Sequence, residues 1–155
     1  IIGHGPLEKS LKSLSHSLQI DSNVIFLGAI PNDQLPKFFA TADIFVGPSI
    51  RAASGDTEGF GLTFVEAGMS GTWLIGSDVG GVRDIIQNGI NGNLVQEKSS
   101  SDIAKNVIAA INSEKVAPSP KNPCFPDWLT ITNRYSDIIN QAALFSESKE
   151  PMNSD

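Results

Sequence analysis

The stretch EGFGLTFVEAGMSGTWLIGSDVGG, residues 58–81, contains a loop, a helix, a strand and a turn in direct succession. Leu62, Val65 and Met69 recur at the spacing of one helical face, which predicts a helix. Residues 73–75 form a short apolar run typical of a buried strand, and the glycine-ended segment 77–81 predicts the turn after it. A helix that leads directly into a buried strand is typical of α/β proteins.

The same alternation extends in both directions along the chain. Leucines at positions 7, 11, 14 and 18 predict an amphipathic helix, and Pro31 opens a second helix. Downstream, a short helix is predicted over 82–87 and a longer one over 101–112. The predicted strands are the end of a buried strand at 1–2, then 24–27, 44–46, 73–75 and 93–95. This order predicts a parallel sheet covered by helices on both faces.

Composition limits the possible functions. The chain has 155 residues, a formal net charge of −6 and scattered Lys and Arg, so we expect no nucleic-acid partner. Cys124 is the single cysteine, and the two histidines lack a carboxylate or cysteine at ligand spacing. We therefore expect neither a metal nor another cofactor. No apolar run in the sequence approaches the ~20 residues that span a bilayer. We expect a cytoplasmic location, with room for peripheral membrane attachment through a part absent from this sequence.

Changes in composition and hydrophobic pattern along the chain predict four segments. Residues 1–112 form a truncated Rossmann-like domain, residues 113–127 a Pro-rich connector, residues 128–145 a C-terminal helix, and residues 146–155 a disordered polar tail. Because two isoleucines run straight into a glycine turn at the start, we expect the chain to be a fragment.

Two carboxylates and two glycines within residues 58–66 suit a ligand that contains a diphosphate. Glu58 precedes the predicted helix and Glu66 lies more than a turn inside it. Free amides and the dipole at a helix start suit a phosphate, and carboxylates accept hydrogen bonds from sugar hydroxyls. The alternative from spacing alone is that Glu58 caps the helix and Glu66 is a solvated helix residue.

Several motifs, in collinear order, resemble glycosyltransferase family 4, the retaining GT-B type. Residues 58–66 match its E-x7-E motif, and residues 2–6 are similar to its GxGP turn. The other similar segments are VIFLG at 24–28, ADIFV at 42–46, SDVGG at 77–81 and the NG, G and LV positions at 88–95. The resemblance covers residues 1 to about 140. It implies a Rossmann-like doubly wound parallel sheet, the C-terminal half of a GT-B fold whose first strand and helix are missing here.

The resemblance also implies a nucleotide-sugar donor site. Glu58, the one residue expected to take part in catalysis, would contact donor-sugar hydroxyls, and Glu66 would contact the ribose. The remaining candidates are the amides of Phe60, Gly61 and Leu62 for sugar or diphosphate oxygens, Gly3 and Gly5 for close approach of the nucleotide, and Leu27 and Gly28 near the base. For each of these, an ordinary turn glycine or a buried strand end is the structural alternative.

The implied activity is hexosyl transfer from a nucleotide-sugar to an unknown acceptor, which is a lipid, a polysaccharide or a small molecule held by a missing N-terminal domain. Two alternatives stay open: a sugar phosphorylase or sucrose-type synthase on the same fold, and a nucleotide-sugar-binding module without catalysis.

The sequence departs from the family pattern at several positions. Trp73 replaces the usual proline, and Arg83 and Asp84 replace Pro-Glu. Family members carry an Arg and a Lys near the diphosphate on the missing elements, and Arg51 is a weak candidate to supply that charge. Since the first strand is central in the doubly wound order, its loss predicts a sheet divided at its middle and a poorly folded fragment.

Overall fold

A computed structural model describes residues 1–113 and 128–147 of the chain. The helices are α1 (Glu8–Ser17), α2 (Leu35–Thr41), α3 (Leu62–Met69), α4 (Val82–Ile85), α5 (Ser100–Ile111) and α6 (Trp128–Glu147), and the strands are β1 (Ile44–Gly47), β2 (Trp73–Ser77) and β3 (Gly92–Val95). A 3₁₀ turn covers Asp21–Asn23. These bounds confirm the predicted alternation from α2 to α5.

The three strands form one parallel sheet in the order β1-β2-β3. All five residues of β2 are buried, as its apolar run predicts for the middle strand. In register, Gly47 of β1 lies beside Gly76 of β2, and Ser77 lies beside Val95 of β3. The carboxyl ends of all three strands therefore meet at one edge.

Side chains alternate between two apolar layers along β2. Leu74 packs on one face with the α3 and α4 side, whose buried members are Phe39, Phe64, Ala67, Val82, Ile85 and Ile86. Trp73 and Ile75 pack on the other face with Val95 and Ala110. Helices thus cover both faces, which confirms the predicted α/β, Rossmann-like class.

The first 28 residues differ from the prediction of two buried strands. Ile2 forms a single parallel bridge with Gly28, supported by a hydrogen bond of 2.7 Å from the Gly3 amide to the Gly28 carbonyl. Ile1 is 57% exposed and Ile25 is 67% exposed. The prediction of buried strands at 1–2 and 24–27 is therefore wrong, because within the described residues this pair does not join the ladder of β1, β2 and β3.

Helix α1 forms where the leucine spacing predicts it, but its apolar stripe is exposed. The four leucines are between 41% and 66% exposed; they are Leu7, Leu11, Leu14 and Leu18. The spacing identified the apolar face of the helix correctly and could not tell whether this sequence contains a surface to cover it.

The C-terminal segments are described only in part. Helix α6 begins at Trp128 as predicted and ends at Glu147, two residues beyond the predicted end. Ile138 and Ile139 on it are exposed. The predicted connector beyond residue 113 and the predicted tail beyond residue 147 lie outside the described residues. None of the helices in the described ranges combines the length and the apolar character required to cross a bilayer.

Trp73, which departs from the family pattern, is accommodated in the core. Its side chain is buried in the layer beside α5, together with Ile75, Val95 and Ala110. Its indole N–H finds no hydrogen-bond acceptor among the described residues. The substitution therefore adds apolar packing and leaves one buried donor unsatisfied.

Candidate functional site

Five of the predicted donor-site residues lie on the loop and helix that follow the carboxyl end of β1; they are Glu58, Phe60, Gly61, Leu62 and Glu66. The loop after β1 ends in Glu58 and leads into α3, the loop after β2 contains Gly80 and Gly81, and the turn after β3 precedes α5. Ligands of open α/β sheets bind at this edge, outside the carboxyl ends of the strands. The fold therefore brings residues 58–81 to the edge of the sheet where a ligand is expected.

Glu58 lies on the loop before helix α3, as predicted, four residues ahead of its first residue Leu62. Its side-chain Oε1 accepts a hydrogen bond of 3.1 Å from the Gly61 amide, and the residue is half-buried. Gly61 precedes the helix in the left-handed conformation, with φ of 76°. Glycine adopts that conformation without strain, so the chain can turn from the loop into the helix there. The carboxylate thus sits near the positive end of the helix and is bonded to the amide of Gly61, the residue that precedes the helix.

A second pair of glycines supports the backbone of Glu58 from the neighbouring loop. The Gly81 amide donates a hydrogen bond of 3.2 Å to the Glu58 carbonyl. A Cβ at Gly80 would overlap that carbonyl, and a Cβ at Gly81 would overlap the carbonyl of Gly59. Only glycines allow the two loops to approach so closely. Sequence reasoning recorded these glycines as part of a family motif and missed this supporting role, although two consecutive glycines after a buried strand were the signal.

The first turn of α3 offers amides to an anion. The Gly61 carbonyl accepts hydrogen bonds from the amides of Phe64 and Val65, at 2.9 and 3.2 Å. The amides of Leu62 and Thr63 form no hydrogen bond within the described part of the chain. Backbone donors at a helix start, together with the helix dipole, are suited to phosphate oxygens.

Glu66 lies inside α3, as its spacing predicted, and it is exposed. The structure therefore brings Glu58 and Glu66 onto one short loop–helix unit, Glu58 before its first turn and Glu66 beyond it. Because an ionised carboxylate is an acceptor only, both side chains are suited to ligands with hydroxyl groups.

The four remaining candidates form a second group near the chain start. Gly3, with φ of 103°, and Gly28, with φ of 68°, are joined by the 2.7 Å hydrogen bond between them. A cavity of about 310 Å³ adjoins this turn and includes Gly5 in its lining, with Leu11 and Phe26 on its apolar side. The turn of Gly3 and Gly5 thus lies beside Leu27 and Gly28.

Two ion pairs, Arg83 with Asp78 and Lys12 with Glu8, lie near the candidate residues. The Arg83 guanidinium hydrogen-bonds to the Asp78 side chain at 2.5 Å and to its carbonyl at 3.0 Å, bracing the turn that contains Gly80 and Gly81. A hydrogen bond from Lys12 holds the pKa of Glu8 below its usual range. Within residues 1–113 and 128–147, no group of three or more His, Cys, Asp or Glu side chains could hold a metal ion.

A parallel α/β sheet with a glycine-rich helix start at its carboxyl edge is typical of Rossmann-like nucleotide-binding domains. Residues 1–122 match the family model described as glycosyl transferases group 1. The chain belongs to this family, and its interpretation as part of a GT-B glycosyltransferase is confirmed.

Named relatives agree with this assignment. The chain is 29% identical over 146 residues to a GDP-mannose-dependent α-(1-6)-phosphatidylinositol monomannoside mannosyltransferase of Mycobacterium tuberculosis, covering 94% of this chain and 38% of that protein. The chain therefore spans well under half the length of that relative.

Solved structures show the same fold. Anabaena HepE in complex with UDP-glucose has a TM-score of 0.69 and 24% identity, over 90% of this chain and 40% of that one. The C-terminal domain of a group 1 glycosyl transferase from Francisella tularensis has a TM-score of 0.62 and 28% identity, over 83% and 62% of the two chains.

Proposed function

We propose that the intact protein is a retaining glycosyltransferase of family 4, and that this chain supplies most of its donor site. The reaction moves a hexosyl group from a nucleotide-sugar to an acceptor. The observation that carries the proposal is the start of α3, where the Glu58 carboxylate, the left-handed Gly61 and unpaired helix amides lie together over the Gly80–Gly81 turn.

The donor is matched by one carboxylate for each hydroxyl-rich ring and amides for the diphosphate between them. Oε1 of Glu58 accepts the Gly61 amide, and the second oxygen of the carboxylate remains for a sugar hydroxyl. Glu66, one turn further along the helix, receives the ribose. Amides of Phe60 and Leu62 hold the sugar or diphosphate oxygens, whereas the predicted contact from the Gly61 amide is wrong, because that amide already donates to Glu58.

In this proposal, catalysis is electrostatic. Negative charge develops on the leaving diphosphate, and helix amides placed beforehand stabilise it at no cost of reorganisation. Glu58 orients the donor sugar and is not a nucleophile, in contrast to the paired carboxylates of glycoside hydrolases. The residues present suit a reaction without a bound metal.

The proposal also covers the identity of the donor and of the acceptor. The mannosyltransferase relative is named as GDP-mannose-dependent, and HepE was solved with UDP-glucose. Either donor type therefore fits the proposal for this chain. The acceptor is a lipid, a polysaccharide or a small molecule bound by another domain, and the protein is cytoplasmic or peripheral on a membrane.

Titration of the intact protein with UDP-glucose and GDP-mannose tests the donor site. Glu66→Gln removes a charge-assisted hydrogen bond, so we expect donor affinity to fall by about tenfold or more, from a loss of ~1.5–3 kcal/mol. The matched control is Asp43→Ala, which removes an exposed carboxylate directly before β1, at the opposite edge of the sheet.

Two outcomes would contradict the proposal. Unchanged affinity in the Glu66 variant would remove that residue from the site, and failure of the wild-type protein to bind any nucleotide-sugar would remove the function. For the stereochemistry, NMR of the anomeric proton in the first product formed should show the configuration of the donor, and inversion would exclude a retaining enzyme.

A further inference from the structure

The loop that ends in Glu58 is anchored at its beginning by a residue distant in sequence. The Arg51 amide donates a hydrogen bond of 2.8 Å to Oε1 of Glu97, which lies 46 residues further along the chain. In the described part of the chain, the other hydrogen bonds made by residues 51–57 are internal to the loop, such as those between Ala52 and Asp56 and between Gly55 and Ala52. Among the described residues, Glu97 is thus the side chain that ties this part of the loop to the sheet.

Glu97 is itself held in a well-fixed turn. The Ser99 amide donates to the Gln96 carbonyl at 3.3 Å, and Lys98 adopts a positive φ of 59°. Asp102 on α5 accepts the Gln96 amide at 2.8 Å, and its own amide donates to the Ser99 hydroxyl, which caps α5. The turn after β3 is therefore fixed to the helix on both sides, and it presents Glu97 in a defined direction.

The contact crosses the carboxyl edge of the sheet. Glu97 follows β3, Arg51 follows β1, and β2 lies between these strands. The Glu97 side chain is only 28% exposed, and Lys98 Nζ lies 3.6 Å from its Oε1. An ionised acceptor that is partly shielded from water makes a stronger hydrogen bond to an amide than a neutral one does.

We propose that Glu97 is a positioning residue for donor binding: its carboxylate fixes residues 51–57 and thereby the approach of Glu58 to the donor sugar. This inference rests on the proposed function. The loop has two anchors, the Glu97 carboxylate near its beginning and the Gly80–Gly81 turn at Glu58. Loss of the first anchor leaves only the second, so Glu58 keeps its helix contact while the loop beside it samples more conformations.

The test compares Glu97→Ala, Glu97→Gln and the control Asp43→Ala in the intact protein. Hydrogen exchange of the unliganded protein measures the anchor. In Glu97→Ala we expect faster exchange at residues 51–57 with unchanged exchange in β1, β2 and β3. Glu97→Gln keeps an oxygen acceptor and should restore most of the protection, and Asp43→Ala should resemble the wild type.

Donor kinetics measure the consequence for binding. In Glu97→Ala we expect kcat/KM for the nucleotide-sugar to fall by about tenfold, the effect of one charge-assisted hydrogen bond, with partial recovery in Glu97→Gln. If Glu97 supported only the fold, its loss would instead accelerate hydrogen exchange across the whole sheet.

Each other outcome overturns the proposal at a defined step. Unchanged exchange at 51–57 in Glu97→Ala would show that the anchor does not exist. Faster exchange with unchanged donor kinetics would show that the anchor has no role in donor binding. If the wild type binds neither UDP-glucose nor GDP-mannose, the proposed function and the role in donor binding both fail, and exchange alone decides on the anchor.

Discussion

Gly81 has an ordinary negative φ of −70°, so only space demands a glycine there. A Cβ at this position would overlap the carbonyl of Gly59 in the loop that holds Glu58. We expect Gly81→Ala to lower the free energy of unfolding of the intact protein by about 1–3 kcal/mol, the usual cost of overpacking. Chemical denaturation measures the loss.

Gly5→Ala is the matched control for stability, since a Cβ at Gly5 meets no atom within 4 Å. Its free energy of unfolding should stay within about 0.5 kcal/mol of the wild type. Equal stabilities for the two variants would contradict the close approach of the two loops.

A local sequence pattern was sufficient to locate some of the site residues but not all of them. Glu58 and Glu66 could be placed before and inside a helix because the helical spacing of apolar residues from Leu62 onward locates the start of the helix between them. Glu97 could not be found in that way, because its contact with Arg51 depends on the order of the strands in the sheet. A single acidic residue in a polar turn has no local pattern that distinguishes it from a solvated one.

Helix α3 is held on the sheet by one aromatic side chain. Phe64 is 1% exposed and packs edge-to-face against Phe45, with ring centroids 5.0 Å apart. Its ring occupies the space left by Gly47 and Gly76, where a Cβ on either strand residue would collide with it. The glycines on two adjacent strands and the aromatic residue on the helix therefore form one packing unit.

We expect Phe64→Ala to destabilise the intact protein by about 3–5 kcal/mol, because the deletion leaves a cavity against two glycines that cannot fill it. Phe60→Ala removes the same ring from a position that is 63% exposed and should cost less than about 1 kcal/mol. Urea denaturation of both variants gives the comparison. Similar losses would show that α3 is not anchored through Phe64.

The helices and strands were predicted best where the sequence pattern is strong, either a helical repeat or an unbroken apolar run. The leucine spacing of α1 and the apolar run of β2 were sufficient to locate both. Their burial required knowledge of the neighbours: β2 has a strand on each side, whereas the α1 stripe faces outward in this chain. A hydrophobic pattern states which face of an element is apolar, and only the rest of the molecule decides whether that face is covered.

At the scale of the molecule, residues 1–113 divide into two unequal parts. The sheet and helices α2 to α5 share the two apolar layers around β2. Residues 1–28 pair with each other through the Ile2–Gly28 bridge and leave the leucines of α1 exposed. Burial of apolar surface is the main favourable contribution to folding, so the two parts differ in stability.

We therefore expect the isolated 155-residue chain to lack a single cooperative thermal transition. Circular dichroism at 222 nm should show a broad melt, and limited proteolysis should cut within residues 1–34 before it cuts β2. The intact protein is the control and should protect both regions. One sharp transition of the isolated chain, with equal protection of α1 and β2, would contradict this. It would mean that the few hydrogen bonds around Gly3 and Gly28 couple the first part to the sheet far more strongly than their number and exposure imply.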